Sequence, residues 1–257
     1  MRIEGSVVVI TGASRGIGAA AAAEFARAGA KLSLTARDSE ALEKAAPPDA
    51  LVTAGDITNE AAREQIIART MHQFGTIDIL INNAGAGLYG PSWNAAMDNI
   101  RWLMELNFFA PVAMVQQIVP HMRARRKGMI VNIGSIAGKI PLPWMSLYST
   151  SKYALGAWTE NLRMELKRDG IHAMIVCPGY VKTEFQKNAR GGTVPEKVVR
   201  GRRLAITAEE CAKAIRRGVE RNARTVLTPA AGWLLVAAMR WFPGFVESRM
   251  AGMLQSE

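Results

Sequence analysis

Cysteine is almost missing from this 257-residue chain: Cys177 and Cys211 are its two thiols, and their separation fits no paired framework. A disulfide-stapled secreted scaffold is therefore excluded, and a reducing, cytoplasmic setting is expected. Histidine is equally sparse, with His72, His121 and His172 scattered too widely to make a metal-ligand pattern. No metal is assigned. The chain has no low-complexity tract or internal repeat. No secretory leader is recognisable, because residues 1–10 run directly into a strand-like segment. Acidic residues are in the minority, 22 against 32 Lys and Arg, for a net charge of +10. That balance favours anionic ligands, acidic membranes or nucleic acid, but no nucleic-acid motif accompanies it and no nucleic-acid partner is expected. What remains is 49% hydrophobic and 21% charged, over a length that one α/β domain with a large core can fill.

The most informative stretch is 129–153. Residues 129–133 read as an apolar strand that turns through Gly134 and leaves Ser135 at its carboxyl end. A loop with Pro141 and Pro143 then leads into a helix carrying Tyr148 and Lys152. Residues four apart share one helix face, so the phenol and the ammonium are expected to be neighbours. A free tyrosine titrates near ~10, too high to exchange protons well at neutral pH. A cation about 4 Å away contributes roughly 4 kcal/mol at an effective dielectric of ~20, the scale of a three-unit shift. That would bring the phenol toward the range of efficient acid–base work. Ser135 could then hold a substrate oxygen beside it. An ordinary surface pair on a helix is the alternative.

Residues 7–10 are a β-branched strand followed by Thr11-Gly12-Ala13-Ser14-Arg15-Gly16-Ile17-Gly18 and an Ala-rich helix to about Ala28. Strand, glycine-rich turn and helix is the context a dinucleotide fingerprint needs. Glycines let the backbone approach a pyrophosphate, and the helix amino end offers N–H groups and a favourable dipole. The next strand, 31–35, ends at Ala36-Arg37. NAD-binding folds carry an acid at this place, which would repel a 2′-phosphate, whereas a guanidinium forks onto one. Asp38 could partly neutralise Arg37 or cap a helix. Further strands are read at 50–54, 77–81, 171–176 and, at the edge, 224–228, with helices over 59–74, 95–125 and 207–221.

The Thr-Gly-x-x-x-Gly-x-Gly loop, Asn82-Asn83-Ala84-Gly85, Ser135 and Tyr148-x-x-x-Lys152 together resemble the short-chain dehydrogenase/reductase family over residues 6–183. The resemblance implies a Rossmann-like doubly wound parallel sheet in three α/β/α layers. It implies a catalytic set of Asn107, Ser135, Tyr148 and Lys152. Cofactor contacts would come from Gly12, Ser14, Arg15, Gly16, Ile17 and Gly18, from Arg37, and from Asp56 and Ile57, the aspartate accepting from the adenine amino group. An N-cap or loop acid ahead of the 59–74 helix is the other reading of Asp56. Asn83, Ala84 and Gly85 would steady the sheet beside the cofactor. Tyr148 and Lys152 would hold its ribose, with Pro178, Gly179, Val181 and Thr183 at the nicotinamide. Asn107 would hold a water linking Lys152 to solvent; a satisfied core asparagine is the alternative. With Arg15 as a second cation beside Arg37, NADP(H) is favoured over NAD(H). Family members often pair their 95–125 and Tyr148 helices in a dimer, so a homodimer or homotetramer is expected. Trp102, Met104, Phe108 and Met114 are read as core or subunit contacts, and the charges at 123–127 as a solvated helix end.

Residues 184–206 are polar and basic, with Gly191-Gly192 in the middle, and by position form a substrate lid. Residues 1–231 then make the catalytic domain. Beyond them the chain departs from the family's commonest pattern, continuing through Gly232 and Trp233 to Trp241, Phe242 and Phe245 as a C-terminal apolar helical extension over 232–257. This run is too short, and too broken by Arg240, to span a bilayer. It is either an extra core or dimer helix, or a peripheral anchor at a membrane surface. The expected reaction interconverts a ketone or aldehyde and an alcohol by hydride transfer, with a lipophilic carbonyl favoured by the tail. The alternatives are a 3-oxoacyl thioester reductase acting on an acyl carrier, and a nucleotide-binding sensor without turnover.

Overall fold

The β-branched runs become strands because each is covered on both faces, so no alternation of polar residues is needed. In the computed structural model, which describes residues 1–192 and 205–252, the strands are β1 (Val7–Thr11), β2 (Lys31–Ala36), β3 (Leu51–Ala54), β4 (Ile79–Asn82), β5 (Leu88–Tyr89), β6 (Gly128–Ile133), β7 (Ile171–Pro178), β8 (Arg190–Gly191) and β9 (Thr225–Thr228). Seven of them join one sheet in the order β3-β2-β1-β4-β6-β7-β9, every pair parallel. The chain starts at β1, winds outward to β3, then crosses back to β4 and winds out to β9. The reversal opens a crevice at the carboxyl ends of β1 and β4, where such sheets bind ligands. The short strands β5 and β8 pair with each other.

The helices are α1 (Gly16–Arg27), α2 (Ser39–Ala45), α3 (Glu60–Phe74), α4 (Met97–Met104), α5 (Ala110–Ala124), α6 (Ser146–Glu165), α7 (Ala208–Glu220), α8 (Gly232–Trp241) and α9 (Pro243–Gly252). On one face Phe25 of α1, Leu42 of α2 and Ile215 of α7 pack on Ile10, Leu34 and Val131. On the other, Ile66 of α3, Met114 of α5 and Leu162 of α6 pack on Val9, Leu80 and Ile130. Three layers result, as expected. Local chemistry sets the ends: Asn59 caps α3 by accepting from the Ala62 N–H, Gly75 closes it in the left-handed region at φ 72°, and Thr207 with Glu210 forms a capping box on α7.

Three expectations need correcting. The helix read over 95–125 is not uniform: residues Glu105–Phe109 form a π-turn between α4 and α5, with Asn107 inside it. The charge run at 123–127 is not merely solvated. Arg125 pairs with the buried Asp78, whose other oxygen accepts from the Val7 N–H at 2.9 Å, and Arg123 pairs with Asp169 at 3.0 Å. The C-terminal extension bends into two helices, α8 and α9, because Phe242 leaves helical geometry ahead of Pro243. The 193–204 part of the 184–206 lid, and residues 253–257 of the extension, lie outside the described residues.

Candidate active site

The floor of the crevice is the glycine loop. Gly12 sits at φ +65°, and a Cβ on it would come within 2.8 Å of Ala84 Cα; one on Gly18 would stand 2.1 Å from the Gly12 carbonyl oxygen. Glycine is therefore enforced by close backbone approach as well as by conformation. Asn83 locks the loop to the end of β4: its side-chain amide donates to the carbonyls of Thr11 and Gly12 at 2.9 and 3.0 Å. In return the Thr11 hydroxyl accepts from the N–H groups of Asn83 and Ala84, both at 3.0 Å. Helix α1 begins at Gly16 and Ile17 just after Ser14 and Arg15, with no capping side chain and no acid in its first turn. Its amino end thus presents N–H groups and positive dipole to the crevice, which suits the diphosphate of a dinucleotide.

At the end of β2, Arg37 is exposed, and among the described residues no ion pair holds it. Asp38 does not neutralise it. That carboxylate caps α2 through the Ala41 N–H and binds Arg15 at 2.9 Å, which draws Arg15 toward the end of β2. Asp56 receives the N–H and hydroxyl of Thr58 through one oxygen, at 3.0 and 2.8 Å, so it braces a turn and does not cap α3. Ile57 is buried in the core and its carbonyl accepts from Arg63 at 2.8 Å.

Ser135 follows β6 and caps a short turn by accepting from the Ala137 N–H at 3.1 Å. Tyr148, on the first turn of α6, is buried at 6% exposure. Burial holds its phenol well above the ordinary value, with a hydrogen bond from Ser135 acting the other way. Lys152 stands one turn on, also buried, donating to the Ile133 carbonyl at 2.9 Å. Its Nζ is 5.9 Å from the centre of the Tyr148 ring. Burial dominates both groups, pushing the tyrosine up and the lysine down to about 8, an effect that the attraction of the ammonium alone leaves out. A Cβ on Gly85 would stand 3.4 Å from that Nζ and 3.1 Å from Asn107 Oδ1, so Gly85 leaves the space in which the two side chains converge.

Asn107 is fully buried and satisfied. Its Oδ1 accepts from the Ala86 N–H, and its amide donates to the Ala86 carbonyl and to Ser151 Oγ, all between 2.9 and 3.0 Å. Below it, Asn82 donates to Asn132 at 2.9 Å and Asn132 donates to Thr159 at 2.9 Å, tying β4, β6 and α6 together.

Opposite α6, Pro178 ends β7 and the Gly179 N–H donates to the Thr228 carbonyl at 2.7 Å. Val181 bridges to Ile206. Thr183 rests against the glycine loop, its Cγ2 3.3 Å from where a Gly16 Cβ would be. Its hydroxyl also accepts from the Phe185 N–H at 3.3 Å. Phe185 places its ring edge-on to Tyr148. Tyr89 comes to the same place from β5: a Cβ on Gly87 would stand 3.3 Å from Phe185 Cε1 and 3.4 Å from Tyr89 Cε2. Arg190 anchors the same segment, its guanidinium 3.9 Å above the Trp102 ring, so Trp102 carries this contact besides its packing in the core. Sequence reasoning named none of Phe185, Tyr89 or Ser151. No local signal marks the first two, since their approach to Tyr148 depends on the pairing of β5 with β8.

Fold and site together define an oxidoreductase built on a Rossmann-like sheet. The chain belongs to the short-chain dehydrogenase/reductase family: the profile described as short chain dehydrogenase matches residues 6–193. It is 35% identical over 229 residues to mouse dehydrogenase/reductase SDR family member 7B, covering 83% of this chain and 71% of that protein. Over 240 residues it is 37% identical to the Arabidopsis thaliana 11-beta-hydroxysteroid dehydrogenase-like 2, covering 89% and 75%. A Burkholderia phymatum short-chain dehydrogenase/reductase solved with NAD superposes with TM-score 0.87 at 26% identity, over 95% of this chain and 96% of that one. A Burkholderia cenocepacia short-chain dehydrogenase solved with NADP gives 0.81 at 28% identity, over 97% and 99%. Among the described residues no helix is long and apolar enough to cross a membrane.

Proposed function

We propose that the chain is an NADP(H)-dependent enzyme interconverting a lipophilic ketone or aldehyde with its alcohol, and that 1–231 is the catalytic unit, with a lid over 184–206, and 232–257 its extension. The observation that carries this is the convergence of Ser135, Tyr148 and Lys152 at the carboxyl end of β6, beside a crevice that accepts a dinucleotide. The glycine loop, the uncapped amino end of α1, Asp56 and Ile57, Asn83 to Gly85, and the turn from Pro178 through Gly179 and Val181 to Thr183 would hold the nucleotide. When bound, it supplies or accepts the hydride at the carbonyl carbon.

The protein's own work is on the oxygen. Ser135 positions it, and Tyr148, kept protonated by burial, donates the proton. Lys152 holds the ribose and, as a buried cation, compensates charge developing on the phenol. Asn107 is a positioning residue: its side chain is committed to Ala86 and Ser151, so any proton relay through it falls to its main chain. The preference for NADP(H) rests on exposed Arg37, with Arg15 nearby and Asp38 already engaged. An aromatic wall of Phe185 and Tyr89 beside Tyr148 supports a lipophilic carbonyl. The groove between α5 and α6, lined by Val112, Val119, Trp158 and Leu162, supports a homodimer, which light scattering after gel filtration measures.

Oxidation of NADPH and NADH over a panel of carbonyls graded by size and apolar area tests the assignment. The expected result is NADPH-dependent turnover that rises with lipophilicity. Tight nucleotide binding with no turnover across the panel would instead support a sensor.

A further inference from the structure

The paired C-terminal helices carry apolar surface that the chemistry does not use. One side is packed: Met239 of α8 and Val246 of α9 are buried on Ile140, with Ile136, Leu142, Val236 and Met250 around them. Gly232 seats α8 closely, since a Cβ there would stand 2.3 Å from Leu227 Cδ2 and 3.2 Å from Ile136 Cδ1. The other side is bare. Leu234 is 76% exposed, Trp241 74%, Phe242 67% and Phe245 65%. Leu234 and Trp241 lie two turns apart on one face of α8, and the three aromatics gather at the corner where α8 gives way to α9. Arg240 is exposed at the same corner, and the Arg249 guanidinium lies 5.5 Å from the centre of the Phe245 ring. Glu247 is the one acid between residues 232 and 252.

We propose that this corner is a docking surface for an anionic lipid bilayer, inserting Trp241, Phe242 and Phe245 to headgroup depth while Arg240 and Arg249 meet lipid phosphates. Aromatic rings flanked by arginines match the chemistry of that boundary, apolar on one side and negatively charged on the other. The net charge of +10 adds a long-range attraction to the same partner. A second copy fits less well, because a twofold contact through this face would gather both copies' arginines in one interface. The packed side of the same helices stands on Ile136, the residue after Ser135, so α8 and α9 would lie between the bilayer and the loop from Ser135 to Tyr148. The proposal is independent of the substrate assigned above, and its readout is binding, not turnover.

Deleting the extension is a poor test, since it would uncover Ile140. Flotation of the full chain with phosphatidylcholine vesicles, with and without about a third phosphatidylserine, is compared with Trp241→Ser/Phe242→Ser/Phe245→Ser. The expected result is flotation with the anionic vesicles, weakened by salt, and at least about tenfold weaker in the triple variant, because such binding scales with buried apolar area. Its melting temperature should stay close to that of the parent, because the three rings are exposed. Should that variant misfold, Arg240→Glu/Arg249→Glu gives the second measurement, with the same loss expected. Absence of flotation by the intact chain at low salt, or equal flotation by a folded variant, would overturn the proposal. A change in oligomeric mass in the variant without vesicle binding by the parent would assign the face to a second copy, and overturn it too.

Discussion

Phe185 meets Tyr148 edge-on, with ring centres 5.7 Å apart and planes at 61°. The first turn after Thr183 therefore lays an apolar wall against the candidate proton donor. Phe185→Ala should raise KM for an apolar carbonyl by about tenfold or more, the scale of discrimination in hydrophobic pockets. Cofactor affinity and melting temperature should hardly move. Unchanged KM across carbonyls of different size would remove Phe185 from the substrate site.

Tyr148→Phe removes the hydroxyl and keeps the ring that Phe185 contacts. Turnover should fall by at least about two orders of magnitude, the contribution of a positioned general acid, while titration still detects nucleotide binding. Near-parental kcat would show that another group delivers the proton.

Lys152 makes folding depend on pH in a stated direction. Burial lowers its folded-state value from 10.5 to about 8, a cost of roughly 3 kcal/mol to the folded state wherever both states are protonated. Between those values the unfolded chain binds more protons, so stability rises with pH. The raised Tyr148 phenol opposes this only above about pH 10, where an unfolded tyrosine ionises. Denaturant unfolding at pH 7 and 9.5 should show the parent gaining about 2 kcal/mol relative to Lys152→Met. A difference between the two that does not change with pH would mean that the ammonium is solvated.

Arg37→Ala should weaken NADPH about tenfold to a hundredfold, the equivalent of a charge-assisted hydrogen bond of about 1.5–3 kcal/mol. NADH binding should be unaffected. Equal losses for both nucleotides, measured by calorimetry, would make Arg37 structural.

What the residues announced in advance was whatever depends on short spacing. Glycine loop, strand runs, Asn82 to Gly85 and the Tyr148–Lys152 pair are local patterns, and each reappears where the winding of the sheet requires it. What stayed hidden depends on contacts between distant segments or on desolvation. Asp38 stands next to Arg37 yet binds Arg15, because α1 and α2 start at neighbouring strand ends. The π-turn at Asn107 has no local signature; it is consistent with the demand of that amide for Ala86 and Ser151 together. Burial overrides the simple ion–phenol estimate at Tyr148, since neighbours across the whole crevice set it. Asn132, an amide inside the apolar strand 129–133, passed unremarked, because its partners Asn82 and Thr159 come from distant segments.

That amide carries no chemistry, yet it constrains assembly. Asn82 and Asn132 face each other across β4 and β6 in register, and Thr159 closes the chain of bonds from α6. Sliding either strand by one residue would turn its amide toward the opposite apolar layer, leaving polar groups unpaired among methyl groups. Isoleucine and valine at neighbouring positions would tolerate such a slip far better. A misaligned pairing of these central strands is thus penalised during folding itself, before any site exists to be selected for its activity.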